Sequence, residues 1–173
     1  PRGGQAMNYV APWWLPGGNL QTIWPALCSS HPSPAARPPL QRERWITPDS
    51  DFIDVDLGLA GAGAPALVLF HGLEGSSSSH YAQAFAHWAR QAGVRLVVPH
   101  FRGCSGPLNL GPRAYHSGDF EEIGWILGRL HAGRQGPSEG CTPTPLHAVG
   151  ISLGGNALLR WAEEAGDTAA AIA

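Results

Sequence analysis

From Ala66 onward the chain alternates short apolar runs with amphipathic stretches. Ala66–Phe70 is five apolar residues in a row, ending at the polar His71-Gly72, the mark of a strand buried on both faces. A Gly/Ser loop over residues 75–79 leads into a helix. On it Tyr81, Phe85, Trp88 and Ala92 share one stripe, and Gly93 is well placed as the stop. Residues 94–98 read as the next buried strand, ended by Pro99. Asp119 and Glu122 have capping-box spacing for a helix that carries Phe120, Ile123, Leu127 and Leu130 on one side. Residues 146–151 form another strand pattern. A helix from about Gly155 to Ala165 follows, with Leu158, Trp161, Ala162 and Ala165 inward. Strands alternating with helices predict an α/β fold, a mostly parallel sheet with helices on both faces.

Before this region the pattern is weaker. Residues 1–40 are rich in Trp, Pro and Gly without a sustained period of 2 or 3.6, which predicts an irregular N-terminal arm ending in the Pro-rich run 31–39. The remainder, 41–173, reads as the N-terminal part of a single α/β domain. Residues 43–46 and 52–57 are candidate strands. The second sets Phe52, Asp54 and Asp56 against Ile53, Val55 and Leu57, as a half-exposed strand would. Residues 169–173 read as a sixth strand interrupted after it starts, the expectation for a C-terminally truncated fragment. No repeat at periods of 20–50 residues is visible.

Composition narrows the partners. Of 173 residues 43% are apolar and 14% charged, with a net charge of −2, which gives no reason to expect nucleic acid or an anionic membrane. The three cysteines, Cys28, Cys104 and Cys141, are far apart and form no CxxC or zinc pattern, so no metal or disulfide framework is expected. His80 and His87 have no carboxylate or cysteine partner at ligand spacing. Gly61-Ala62-Gly63-Ala64-Pro65-Ala66 loosely resembles a dinucleotide fingerprint but precedes its strand, so no cofactor is expected. With no basic-then-apolar leader pattern and no run of about 18 apolar residues, the cytoplasm is the expected location.

The chemistry concentrates at Gly150-Ile151-Ser152-Leu153-Gly154. Gly-x-Ser-x-Gly alone is weak, because Gly136-Pro137-Ser138-Glu139-Gly140 matches it too. That second copy lies in a polar, Pro-interrupted stretch with no strand before it and reads as a turn. Ser152 sits between a buried strand and a helix, as a nucleophile elbow requires, and Gly150, Gly154 and Gly155 leave room for the strained turn. The bland reading is an ordinary Ser N-cap. Upstream, His71-Gly72-Leu73-Glu74-Gly75 follows the strand ending at Phe70, where α/β-hydrolases place an oxyanion donor. The backbone N–H groups of Leu153 and Leu73 are therefore the expected oxyanion hole, with Gly72 as the fallback for the second. His71 is expected to brace this loop, because the triad base comes last in this fold.

Five motifs in order resemble the YheT-like hydrolases, the AB hydrolase type 4 family. They are Pro12-Trp13-Trp14-Leu15-Pro16-Gly17-Gly18-Asn19-Leu20-Gln21-Thr22, His71-Gly72-Leu73-Glu74-Gly75-Ser76, Phe101-Arg102-Gly103-Cys104-Ser105-Gly106, Tyr115-His116-Ser117-Gly118 and Gly150-Ile151-Ser152-Leu153-Gly154-Gly155-Asn156. The resemblance implies a serine carboxylic-ester hydrolase acting on short-chain esters or acylglycerols, with Ser152 at the one triad position matched. Aromatic packing over the sheet edge is expected of Trp13 and Trp14. Arg102 and His116 are expected to brace loops, with a place at the pocket rim as the alternative. After Ser152 the acids are Glu163, Glu164 and Asp167, and no histidine follows His147. A Ser–acid–His triad in the usual order is incomplete in these residues, so the chain alone is expected to be nearly inactive. Acyl transfer to an alcohol or thiol and a non-catalytic binding module are the rival functions.

Overall fold

The structure is a computed structural model that describes residues 10–28, 37–133 and 144–172. The chain divides into two compact units, Pro1–Pro32 and Ser33–Ala173. The first contains α1 (Gly18–Cys28), a helix where no regular element is expected from the sequence. Leu20, Ile23 and Trp24 recur at helical spacing, a stripe too short to stand out among Pro and Gly. Thr22 Oγ1 donates back to Gly18 O (2.9 Å), and Trp14 meets Trp24 edge-on at 5.5 Å. Trp13 is 90% exposed, and the aromatic contact of Trp14 is made within its own unit, not over the sheet edge as expected of the pair.

The second unit holds a five-stranded sheet in the order β1-β2-β4-β3-β5. Its strands are β1 (Leu40–Ile46), β2 (Phe52–Gly58), β3 (Ala66–Phe70), β4 (Arg95–Pro99) and β5 (Leu146–Gly150). β3 pairs in parallel with β4 and β5, whereas β1–β2 and β2–β4 are antiparallel. Along β3 the side chains alternate between two cores. Val68 and Phe70 pack with Ile123, Ile126 and Leu127 of α3 (Phe120–Ala132) and Ala157 and Trp161 of α4 (Leu153–Ala165). Leu67 and Leu69 pack on the other face against α2 (His80–Ala92). That is the α/β-hydrolase fold, with a mixed sheet.

The aromatic stripe read for α2 meets the core only in part: Tyr81 and Phe85 are half-buried and pack against it, but the fully buried face is another. Ala82, Ala86 and Ala89 form that face, with Gln83, while Trp88 is 52% exposed. Small residues let the helix lie close on the sheet, and large apolar residues flank the contact. Gly93 ends α2 in the left-handed conformation (φ 67°), its N–H bonded to Ala89 O, as expected.

β2 is not half-exposed either: Asp54 and Asp56 are buried. The β1 register sets Arg44 opposite Asp54 and Arg42 opposite Asp56. Both guanidinium groups grip their carboxylates with two nitrogens, at 2.7 and 2.8 Å for Asp56 and 2.8 and 3.0 Å for Asp54. Burial alone would raise the Asp56 carboxyl, but hydrogen bonds from Arg42, His100 and Ser77 outweigh it and hold the group well below the ordinary carboxylate range.

The capping box at α3 is replaced by ion pairs. Asp119 stands at the N-cap without capping and accepts from Arg113 (2.5 Å). Glu122 accepts from Arg102 Nε (2.7 Å). The same guanidinium donates to Asp49 (2.8 and 3.1 Å) and Asp51 (3.3 Å) in the β1–β2 turn. Asp51 also accepts the N–H groups of Phe52, Leu110 and Gly111. Arg102 thus ties three segments together, as the bracing reading expects. Residues 169–173, read as a strand start, contain instead α5 (Ala169–Ile172), entered through a 3-10 turn at Gly166–Thr168. Alanine has the highest helix propensity, and here no strand pairing competes with it. Among the described residues no helix is long and apolar enough to cross a membrane.

Arg102→Ala leaves Asp51 and Glu122 buried without their cation. The expected cost is about 3–5 kcal/mol, read as a lowered urea midpoint, while Arg160→Ala on the exposed face of α4 costs under about 1 kcal/mol.

Candidate active site

The end of β5 turns into α4 over two residues. Ile151 N–H still bonds Phe70 O (2.9 Å), continuing the β3 pairing, and α4 begins at Leu153. Ser152 between them has φ 52° and ψ −114°, a conformation that costs a non-glycine residue of the order of 1–3 kcal/mol. An ordinary N-cap sits in the β region and bonds the helix N–H groups through its side chain. Ser152 does neither, and the N-cap reading fails on both counts. Its residue is exposed, and Oγ has no hydrogen-bond partner among the described residues.

Glycines make the turn possible. A Cβ on Gly154 would lie 2.5 Å from the carbonyl oxygens of Phe70 and His71, and one on Gly150 would lie 2.5 Å from Gly155 Cα. The first turn of α4 therefore rests on the ends of β3 and β5, with its N–H groups and positive dipole end beside Ser152. Leu153 N–H, at the first helical position, has no carbonyl one turn earlier to receive it.

The loop after β3 reaches the same place. A Cβ on Gly72 would approach Ser152 Cβ to 3.5 Å and Ile151 O to 3.4 Å. Residues 72–75 form a β-turn closed by Gly75 N–H donating to Gly72 O (3.0 Å). Its third residue, Glu74, has φ 51°, at a position that ordinarily takes Gly or Asn. Gly72 N–H donates to Tyr81 Oη (3.1 Å). Glu74 N–H donates to Tyr115 Oη (3.1 Å), which in turn donates to Glu74 Oε1 (3.2 Å).

His71 is fully buried, and its ring is committed on both sides. Phe101 N–H can only donate, so Nε2 accepts (3.0 Å) and Nδ1–H donates to Gly72 O (2.8 Å). Burial pulls its pKa down to about 4, so the imidazole is neutral at pH 7. His71 braces the loop, as expected of it. Since Gly72 C=O and Leu73 N–H belong to one planar trans peptide, the ring and Gly75 together set the direction of Leu73 N–H. The second buried imidazole, His100, bonds Asp56 (2.8 Å).

The Tyr115–Gly118 loop closes over the elbow: Asn156 Nδ2 of α4 donates to Ser117 O (2.8 Å). His116 is exposed, and its Nδ1 accepts Gly118 N–H (3.1 Å), so it shapes its own turn. Tyr81, Ser77, Asp56 and His100 support this edge without having been singled out. Tyr81 reads in the sequence as one more apolar stripe member, and Asp56 as one more polar position of an alternating strand. Among the described residues no group of three or more His, Cys, Asp or Glu side chains could hold a metal ion. Ser138 and Cys141 lie outside the described residues.

No protein-family model matches the chain. YheT of Escherichia coli K12, whose name marks it as a candidate esterase, is 45% identical over 119 residues, covering 67% of this chain and 33% of that protein. Human phospholipase ABHD3 is 26% identical over 164 residues, 89% of this chain and 37% of its own. The chain thus spans about a third of the length of the curated relatives it matches. Among solved structures, the α/β-hydrolase GrgF from Penicillium sp. sh18 superposes with a TM-score of 0.57 at 18% identity, over 75% of this chain and 43% of that one.

His71 generates a pH prediction. The unfolded ring titrates near 6.5 and the folded ring near 4, so between these values the unfolded chain holds the extra proton. Stability from the neutral ring is complete above about pH 6.5 and falls on acidification, by up to about 3 kcal/mol. Urea midpoints should drop between pH 6.5 and 4, and His71→Asn should flatten that slope. An equal slope in the variant would assign the titration to another group.

Proposed function

We propose that this chain, which belongs to the YheT-like α/β-hydrolases, carries the nucleophile and oxyanion donors of a serine carboxylic-ester hydrolase. The observation that carries the reading is the strained backbone of Ser152 (φ 52°) beside the turn 72–75. A strained, uncapped serine at a helix N-terminus, with no hydrogen bond holding its Oγ among the described residues, is free to attack an electrophile.

In this mechanism a histidine removes the Ser152 proton as Oγ attacks the ester carbonyl. Leu153 N–H and Leu73 N–H hold the oxyanion, the alcohol leaves, and water releases the acid from the acyl-serine. The two buried imidazoles are engaged elsewhere, so neither is the base. In the usual chain order the acid and then the histidine follow the nucleophile, and sequence after Ser152 through Ala173 has no histidine. The complete enzyme would draw its base from beyond residue 173. Short-chain esters or acylglycerols are the proposed substrate class, and the phospholipase relative supports an ester of lipid type.

In the complete protein, Ser152→Ala should abolish p-nitrophenyl butyrate cleavage, with a loss of about 10⁴-fold or more, and remove labelling by a fluorophosphonate probe. Ser138→Ala should leave both intact. Turnover that survives in Ser152→Ala would exclude Ser152 as nucleophile. Sustained p-nitrophenol release only when an alcohol acceptor is added, with the butyryl group recovered as that alcohol's ester instead of as butyrate, would convert the assignment to acyl transfer.

A further inference from the structure

We propose that Tyr115 is a positioning residue for the oxyanion turn: its phenol clamps Glu74 in the left-handed backbone conformation that keeps Leu73 N–H directed at Ser152. The inference rests on the assignment of Ser152 and Leu73 made above. It adds a residue some forty positions away in sequence to the machinery of that site.

Three observations carry it. Glu74 is one of three non-glycine residues with positive φ among the described residues, the others being Ser50 and Ser152. A side chain opposes that conformation and glycine does not, so something must hold Glu74 there. Tyr115 is the residue that touches it twice. Its oxygen accepts Glu74 N–H (3.1 Å) and its hydrogen is given to Glu74 Oε1 (3.2 Å). One bond fixes the peptide between Leu73 and Glu74, the other fixes the side chain, and together they define the backbone between them.

The phenol is itself held. Its ring stacks on Phe101 with centroids 5.3 Å apart and planes 6° from parallel, and the half-buried Cys104 packs against the same core. Phe101 N–H in turn bonds His71, which holds Gly72 O. The turn is thus gripped at both ends by one connected set of groups: His71 at Gly72 and Tyr115 at Glu74. Leu73 N–H lies between the two grips. Losing the phenol hydroxyl frees Glu74 to relax toward negative φ. The peptide units on either side of Leu73 then rotate, and a donor matched to the transition-state oxyanion loses its alignment. Ground-state ester binding, which uses the acyl and alcohol groups, is little affected.

The test is a double-mutant cycle in the complete protein. Tyr115→Phe keeps the ring and its stacking and removes only the hydroxyl. We expect kcat for p-nitrophenyl butyrate to fall about tenfold or more, below the roughly 10²–10³ for outright loss of a donor, with KM within twofold. Affinity for a trifluoromethyl ketone, which forms the oxyanion on Ser152, should fall in parallel with kcat. In a Glu74→Gly background the left-handed conformation needs no clamp, so Tyr115→Phe should cost less than about twofold there. Equal losses in both backgrounds, or a change confined to KM, would overturn the clamp even if Tyr115→Phe lowers the melting temperature. The wild type should also react with fluorophosphonate at Ser152. Wild-type protein that reacts while Tyr115→Phe keeps full kcat overturns the clamp alone. Wild-type protein that does not react overturns the nucleophile assignment, and the inference falls with it.

Discussion

The candidate site depends on the contact between the first turn of α4 and the ends of β3 and β5. Gly154 has no side chain where one would sit 2.5 Å from two carbonyl oxygens of β3 and its loop, and Gly150 meets Gly155 equally closely. Because helix and strands touch backbone to backbone, the chain has no length in which to make a relaxed connection. The reversal falls on Ser152, at φ 52°. The same contact brings the helix N-terminus, with its unpaired N–H groups, to the end of the strand. It also seats the turn 72–75 against Ser152, since that turn begins one residue beyond His71, whose carbonyl Gly154 touches. A methyl group at position 154 would push these three features apart together.

Loops at this edge are held mainly by charge and hydrogen bonds, where the strands themselves are held by apolar packing. Asp56 gathers Arg42, His100 and Ser77, and Arg102 gathers Asp49, Asp51 and Glu122. Such clusters are expensive to desolvate and are weak evidence for stability as such. Their effect is directional: a carboxylate accepting from three segments fixes where each one stands. That suits a site whose donors are main-chain groups, because a backbone N–H can be aimed only by fixing the loop that bears it. His71 fits the same logic. A charged imidazole would have no acceptor for a second proton where Phe101 N–H already points at Nε2, so burial that keeps it neutral preserves the bond to Gly72 O.

The legibility of the chain follows the origin of each signal. β3 is readable because both of its faces are apolar, so the pattern needs no partner to interpret it, whereas β5, expected as a buried strand, ends the sheet with only Leu146 buried and His147 exposed. The elbow was readable because its glycines are demanded by local geometry. β2 was misread because alternation reports polarity, and polarity normally means solvent. Here the polar face is covered by arginines from β1, fourteen and ten residues earlier, a pairing no period within β2 can reveal. The α2 face was misread for a related reason: alanines carry little hydrophobic signal yet make the closest contacts. Asp119 and Glu122 have the spacing of a capping box, but capping competes with any nearby guanidinium, and Arg113 and Arg102 reach them first. The alanines near position 170 stand where the alternation makes a strand due, although their propensity is helical.

Two strained residues, Ser152 and Glu74, lie on the two segments that meet at the site, and the strain has different support in each. At Ser152 the support is steric, from covalent continuity with β5 and α4, and it cannot relax without unfolding the strand-to-helix turn. At Glu74 the support is a pair of hydrogen bonds to one phenol and a carbonyl pinned by one imidazole, and it can be weakened without disturbing the core. The proposed oxyanion hole, built from one donor of each kind, would have a rigid half, Leu153 on the helix, and a half, Leu73, that is only as well aimed as its loop. Electrostatic stabilisation gains most when donors are already oriented and need not reorganise as charge develops. The tuning of this site therefore lies in the turn 72–75 and in the residues that brace it, more than in the elbow that identifies it.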